Sequence, residues 1–189
     1  RGAPEPVEQR VEFLSPELSR IVFAGGRIVH VFELRDLNGG RVSDIHLRRS
    51  EESGAVTVGT RGVRLGSYRI AVEPPETDPA ALAADAAPSP ASPRYLQLPE
   101  ELPERVRELA RAIVSGVPDH PYWRALAVQE YLRNHYTYSL DTSPPPEGMD
   151  FADHFLFESK KGYCDHFSTA MVVLLRAVGV EARWVKGFA

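Results

Sequence analysis

The sequence predicts an α+β protein: a small antiparallel β unit, then a helix-rich region in which a cysteine opens a buried helix. Three observations carry this. Between Ser19 and Val72, short β-branched and aromatic runs alternate with turn residues, whereas from Tyr95 onward apolar residues recur at spacings of three and four. The single cysteine, Cys164, stands at the start of the most regular of those helical stripes. Residues 73–94, between the two regions, are rich in Pro and Ala and contain no aromatic residue. The expected organisation is therefore a β-rich unit over 1–72, a linker over 73–94 and a helix-rich region over 95–189.

In the first region the expected strands are Ile21–Phe23, Ile28–Leu34, Val42–Leu47, Ala55–Val58 and Tyr68–Val72. Gly25-Gly26 and Asn38-Gly39-Gly40 are expected to supply the positive φ that tight hairpins need. In the second region Val106, Leu109, Ala110 and Ile113 form one face of a helix beginning near Pro103, ended by Gly116 and Pro118. A second helix starts near Pro121 with Asp119 or His120 as its cap, buries Trp123, Leu126, Ala127 and Tyr131, and runs out near His135. The Pro-rich stretch 139–150 reads as loop. Phe167, Ala170, Met171, Leu174, Leu175 and Val178 define the third helix, with Gly179 as its stop. Beyond it, Val180, Ala182, Trp184 and Phe188 alternate with Glu181, Arg183 and Gly187, a strand pattern over 180–188.

Composition narrows the function. A chain of 189 residues, 43% hydrophobic, has material for one or two modest cores. The net charge of −4 provides no basic footprint, so nucleic acid is not an expected partner. The longest apolar run, Ala170–Leu175, is closed by Arg176, far short of the ~20 residues a spanning helix needs. The chain opens on Arg1 without a charged-then-apolar leader and reads as an excised stretch, which leaves membrane anchors to segments outside it. One cysteine rules out an internal disulfide and a Cys-rich zinc site, leaving Cys164 as a packing residue or a nucleophile.

Counting back by three from Phe167 places Cys164 on the apolar stripe, facing the interior. A helix N-terminus presents unpaired N–H groups and a partial positive charge, both suited to a thiolate and to an oxyanion. That contribution, about 0.3–1 kcal/mol, is too small to ionise a thiol at neutral pH, and the neighbouring Asp165 opposes it. A positioned imidazole is needed. His166 follows by two residues and points to nearly the opposite side of the helix, a poor placement for a general base. His154 lies in the segment before the helix, His30 and His46 fall in the β unit, and His120 and His135 sit at the ends of the second helix.

The stretch Gly162-Tyr163-Cys164-Asp165-His166-Phe167-Ser168, with Leu174 to Arg183 and Val185-Lys186-Gly187-Phe188 after it, resembles the nucleophile segment of the transglutaminase-like superfamily. Upstream, Tyr95 to Pro99, Leu102 to Val106 and Phe155 to Glu158 resemble a bacterial branch whose members carry the domain outside the cytoplasm between spanning helices. The resemblance covers roughly 95–189. It implies the N-terminal half of a papain-like or transglutaminase-like core with Cys164 as nucleophile. The His and Asp that complete the family's triad lie on later strands, past Ala189, so the resemblance transfers no base to this stretch. An aromatic residue upstream of the cysteine assists the oxyanion in some relatives; Tyr136 and Tyr138 occupy that region, where packing is the alternative.

The resulting expectation is thiol-dependent acyl transfer, or hydrolysis, on a carboxamide or peptide bond through a Cys164 thioester, at the extracytoplasmic face of a bacterial membrane. These residues alone are expected to be inactive. The expected partners are a protein or peptide substrate, including envelope proteins, and a second copy through the exposed edge of the strand ending at Ala189. No cofactor and no metal is expected, since Asp150, Asp153, Glu158 and Asp165 lack ligand spacing. The rivals are a non-catalytic envelope-binding module that keeps the fold and a cysteine peptidase. Arg176 and Arg183 read as structural cations.

Overall fold

The computed structural model describes residues 5–50, 54–84 and 92–185. The chain divides into two units, Arg1–Asp78 and Pro79–Ala189.

The first unit packs two three-stranded antiparallel sheets around one core. Strands β1 (Val7–Glu12), β3 (Arg27–Asp36) and β6 (Leu65–Glu73) form one sheet in the order β1-β6-β3, and β2 (Ile21–Val22), β4 (Leu47–Arg49) and β5 (Val56–Val58) form the other in the order β2-β5-β4. On β6 Tyr68, Ile70 and Val72 recur at the period of two expected of a strand and are buried, as is the intervening Ala71. Their partners on β3 are Leu34, Val31 and Ile28, spaced by three. Register shifts between Ile28 and His30 and between Val31 and Glu33 each insert one residue, which turns a period of three into a common inward face. The Tyr68 hydroxyl accepts from the Phe23 N–H at 2.6 Å and donates to the Phe23 carbonyl at 2.8 Å. Burial outweighs those bonds and pushes the phenol up to about 12.

Several sequence expectations are corrected here. Strand β1 was not anticipated; VEQRVE offers only two apolar residues, as suits a charged edge strand that is mostly exposed. Val42–Leu47 is not a strand, because a 3-10 turn over Asp44–His46 breaks it and pairing resumes only in β4. Gly39 has φ +82°, in the turn where Asp36 Oδ1 accepts from the N–H groups of Asn38 and Gly40. Gly25 and Gly26 are not among the positive-φ glycines; Gly26 is needed for close approach, since a Cβ there would lie 2.1 Å from the Glu73 carbonyl oxygen.

The second unit is built on three helices, α2 (Glu104–Ile113), α3 (Pro121–His135) and α5 (Cys164–Ala177), with α5 packed against both others. Before them lie α1 (Pro79–Ala84) and a 3-10 turn over Pro93–Leu96, so ordered turns occupy parts of the stretch whose composition reads as linker. The core holds Val106 and Ala110 of α2, Val128 and Leu132 of α3, Phe155 and Leu156, and Ala170, Leu174 and Leu175 of α5. Pro103 is the N-cap of α2, and His120 caps α3 by accepting the Tyr122 N–H at its Nδ1 (3.2 Å). The buried stripe of α3 is Val128 and Leu132, not Trp123, Leu126, Ala127 and Tyr131; of these four, Trp123 is exposed and the others are half-buried.

Helix α5 ends in a Schellman motif. Gly179, at φ +78°, donates to the Arg176 carbonyl at 3.1 Å, and the Val180 N–H reaches back to the Leu175 carbonyl at 2.9 Å. Val180 then joins Leu175 in the core. Residues 180–185 form no strand, which corrects that part of the 180–188 expectation; residues 186–189, including Phe188 and the edge expected to self-associate, lie outside the described residues. Segment 180–185 is instead bound through side chains and through backbone bonds to residues outside it. Arg176 donates to the Ala182 carbonyl from Nε and Nη2 (2.9 and 2.7 Å) and to the Gln97 carbonyl from Nη1 (2.9 Å), while the Ala182 N–H donates to the Tyr95 carbonyl at 3.2 Å. Glu181 accepts from the Ser92 N–H. Among the described residues no helix is long and apolar enough to cross a membrane.

Candidate active site

The chain reaches Cys164 through a short parallel ladder. After α3, β7 (Thr137–Tyr138) pairs with β8 (Lys161–Gly162), bringing Tyr138 beside Gly162. Between them α4 (Phe151–Asp153), capped by Asp150, widens into π-helical turns over His154–Ser159. Those turns close at Lys160, whose left-handed φ of +50° lets its N–H reach the Phe155 carbonyl at 3.1 Å. On this segment Arg105 of α2 grips the buried Asp153 carboxylate with two 2.6 Å bonds, and its guanidinium lies over the Phe157 ring. Extended backbone at Tyr163 then starts α5, with Cys164 as its first residue.

Cys164 is exposed, which corrects the expectation that it faces the interior. Leu175, eleven residues on and turned by only about 20°, is 6% exposed, but the other buried residues of α5, His166, Ala170 and Leu174, lie about 80–160° away around the helix, so Cys164 stands at the margin of the buried face. Axial position adds to this. Side chains lean toward the helix N-terminus, so the first residue of α5 projects its sulfur beyond the packed turns. Sγ lies 3.8 Å from Asp165 Oδ1.

Two exposed aromatic residues bracket this position. Tyr138, 63% exposed, stacks on Phe167 with ring centroids 6.1 Å apart. Trp184, 41% exposed, donates from Nε1 to Ser168 Oγ at 2.6 Å, and Ser168 donates in turn to the Cys164 carbonyl at 2.7 Å. Phe167 and Ser168 fall about 60° to one side and 40° to the other side of Cys164 around the helix. Tyr136 has a packing role: its half-buried hydroxyl donates to the Leu156 carbonyl at 3.1 Å, and burial raises it above the ordinary phenol range. The Trp184–Ser168 link was not read from the sequence, although an indole N–H near a helix start that carries a serine is a usable signal.

The histidines divide clearly. His30 packs on Phe32 and His46 bonds Thr60 in the β unit, His120 caps α3, and His135 stacks on Tyr131 at 4.1 Å. His166 points away from Cys164 as the helical geometry requires, and is buried, 5% exposed. Its Nδ1 accepts the Tyr163 N–H at 3.3 Å. Burial lowers its proton affinity first, the Asp165 carboxylate raises it, and His154 lowers it further. Among the described residues no histidine hydrogen-bonds to Sγ. An open cleft of about 670 Å³ in the same unit is lined by Pro99, Glu101, Pro103 and residues 146–150 with Asp153, and does not include Cys164.

An α+β domain with an exposed thiol at the first turn of a core helix is the class that fold and site define. Residues 107–189 match the model of the transglutaminase-like superfamily. Over 99 residues the chain is 50% identical to the protein YebA of Bacillus subtilis (strain 168), covering 51% of this chain and 13% of that one. Over 95 residues it is 36% identical to a protein-glutamine gamma-glutamyltransferase of Pseudomonas aeruginosa, covering 50% and 14%. The crystal structure of the periplasmic domain of TgpA from Pseudomonas aeruginosa is similar over 94% of this chain and 55% of that domain, with a TM-score of 0.58 and 22% identity. The ethylmercury-bound form of that domain gives a TM-score of 0.54. Residues 107–189 belong to the transglutaminase-like superfamily. The chain thus spans about one seventh of the length of the curated relatives it matches.

Proposed function

We propose that the protein is a thiol-dependent acyltransferase of the transglutaminase type in which Cys164 is the nucleophile. The observation that carries this reading is the exposed sulfur at the first turn of α5, inside the segment matched to the superfamily. The thiolate attacks the carbonyl carbon of a carboxamide, and the tetrahedral intermediate collapses to a thioester. The C–N bond breaks, and the amine leaves with a proton returned by the base. An amine or water then takes the acyl group and restores the thiol. Backbone N–H groups of the first turn are the donors available to the oxyanion.

The general base is a histidine, oriented by an aspartate, that follows residue 189 in the longer protein. In support, none of the described histidines hydrogen-bonds to Cys164 Sγ, His120, His135 and His166 have other partners, His30 and His46 lie in the other unit, and the relatives extend well beyond the matched stretch. Residues 1–189 alone then turn over poorly, because losing a triad member costs about 10⁴–10⁶ in kcat. The substrate is a protein or peptide, for which a relative that acts on protein glutamine is the support. The extracytoplasmic face of the membrane, with anchors outside this stretch, is the proposed location, because the similar solved domain is periplasmic.

The test is transfer of a labelled amine to a glutamine-containing peptide by the full-length protein. Wild type incorporates the amine and releases ammonia, and Cys164→Ala abolishes both. Undiminished incorporation by Cys164→Ala refutes the assignment.

A further inference from the structure

His166 is polar, buried and placed where it cannot serve Cys164 as a base, so its burial needs another explanation. Three contacts supply one. First, its Nδ1 accepts the Tyr163 N–H, the donor immediately before α5, as an N3 side chain does when it closes back on an N-cap. An imidazole that accepts at Nδ1 carries its proton at Nε2. Second, the ring is packed among Tyr163, Phe151 and Phe155, with centroids 4.6, 4.7 and 5.5 Å away. Third, it sits directly on Gly162, where an added Cβ would lie 2.5 Å from both Cβ and Cγ of His166. The residue two before Cys164, the residue one before it and the residue two after it are thus held against one another.

We propose that His166 is a positioning residue for Cys164: as the Nε2–H tautomer, wedged on Gly162, it accepts the Tyr163 N–H and fixes the turn that presents the sulfur at the start of α5. This rests on the reading of Cys164 as nucleophile, and it adds a requirement that the fold does not. The first turn of α5 must begin at one residue and in one orientation. A helix can fray or start a residue later at little cost to the core, because Ala170, Leu174 and Leu175 hold it from further down. Reaction at Cys164 does not tolerate that freedom, since a displacement of about 1 Å at a reacting atom costs about 10²-fold in rate. The surroundings favour the neutral ring that this bond needs: burial and the neighbouring His154 disfavour the imidazolium, which cannot accept at Nδ1, against the opposing pull of Asp165.

The test uses the full-length protein with four variants: His166→Phe, which keeps a ring and removes the acceptor; His166→Asn, whose amide oxygen can replace Nδ1; Gly162→Ala, which displaces the ring; and Cys164→Ala. Thermal unfolding, iodoacetamide alkylation at Cys164 and steady-state amine incorporation are measured for each. His166→Phe and Gly162→Ala should slow alkylation about two- to fivefold at neutral pH, the share a helix terminus contributes. They should lower kcat by about 10²-fold while leaving KM little changed. His166→Asn should recover most of both, whatever its unfolding temperature. Equal losses in the Phe and Asn variants, or wild-type alkylation and kcat in folded His166→Phe or Gly162→Ala, would overturn the proposal and leave His166 a packing residue. Activity surviving in Cys164→Ala would refute the nucleophile assignment instead, and alkylation alone would then decide the positioning.

Discussion

Replacing Arg176 tests whether the segment after α5 is held as the structure indicates. Arg176 stands in the last turn of α5 and makes three bonds to backbone carbonyls, two to Ala182 and one to Gln97. A hydrogen bond to a charged group contributes about 1.5–3 kcal/mol. Two of the three share one acceptor and the side chain is only half-buried, so the lower end of that range applies to each acceptor and solvent reduces it further. Arg176→Met should therefore cost about 2 kcal/mol, and Arg176→Lys, which keeps the charge but not the planar fork, about 1 kcal/mol. Urea denaturation reads the loss as a lower midpoint at unchanged m. Amide exchange reads its location: the Ala182 N–H, bonded to the Tyr95 carbonyl, should exchange faster, while Ala170 in the middle of α5 stays protected. A loss below about 0.5 kcal/mol together with unchanged exchange at Ala182 would refute this account of the segment.

Two further outcomes follow from buried polar groups. Tyr68→Phe keeps the core volume but removes the hydroxyl that serves both the N–H and the carbonyl of Phe23, and should lower stability by about 1–3 kcal/mol in urea titrations. Because the proton affinity of His166 is lower folded than unfolded, the unfolded state binds the extra proton as pH falls below about 6.5. Stability contributed by this group is present above that pH and lost below it. His166→Asn should flatten that acid limb in unfolding curves measured from about pH 7 downward.

The alternation of Tyr68, Ile70 and Val72 and the stripe from Phe167 to Val178 could be read directly, because each period matches its element. Strand β3 was recognised in spite of its pattern: Ile28, Val31 and Leu34 recur every third residue, and only the two bulges reconcile that with a sheet. The edge strand β1 left little trace, since a strand with mostly exposed positions needs few apolar residues. At the site, residue type and position along the chain pointed to Cys164 and to the start of a helix. Its exposure was not legible, because a count around a helix gives azimuth and is silent on whether neighbouring elements extend as far as the first turn. The same limit hid His166, which sits on the buried side beneath the aromatic residues Phe151 and Phe155. That contact depends on the π-helical turns after α4, and no sequence period announces such turns.

The most direct test of the central claim is to trap the acyl-enzyme. The full-length protein is mixed with a glutamine-containing peptide donor without an amine acceptor, quenched in acid, digested and analysed by mass spectrometry. The account predicts that the peptide containing Cys164 gains the mass of the donor less ammonia, and that hydroxylamine removes the adduct as it does a thioester. Turnover of the donor with an unmodified Cys164, or an adduct on another residue, would contradict it.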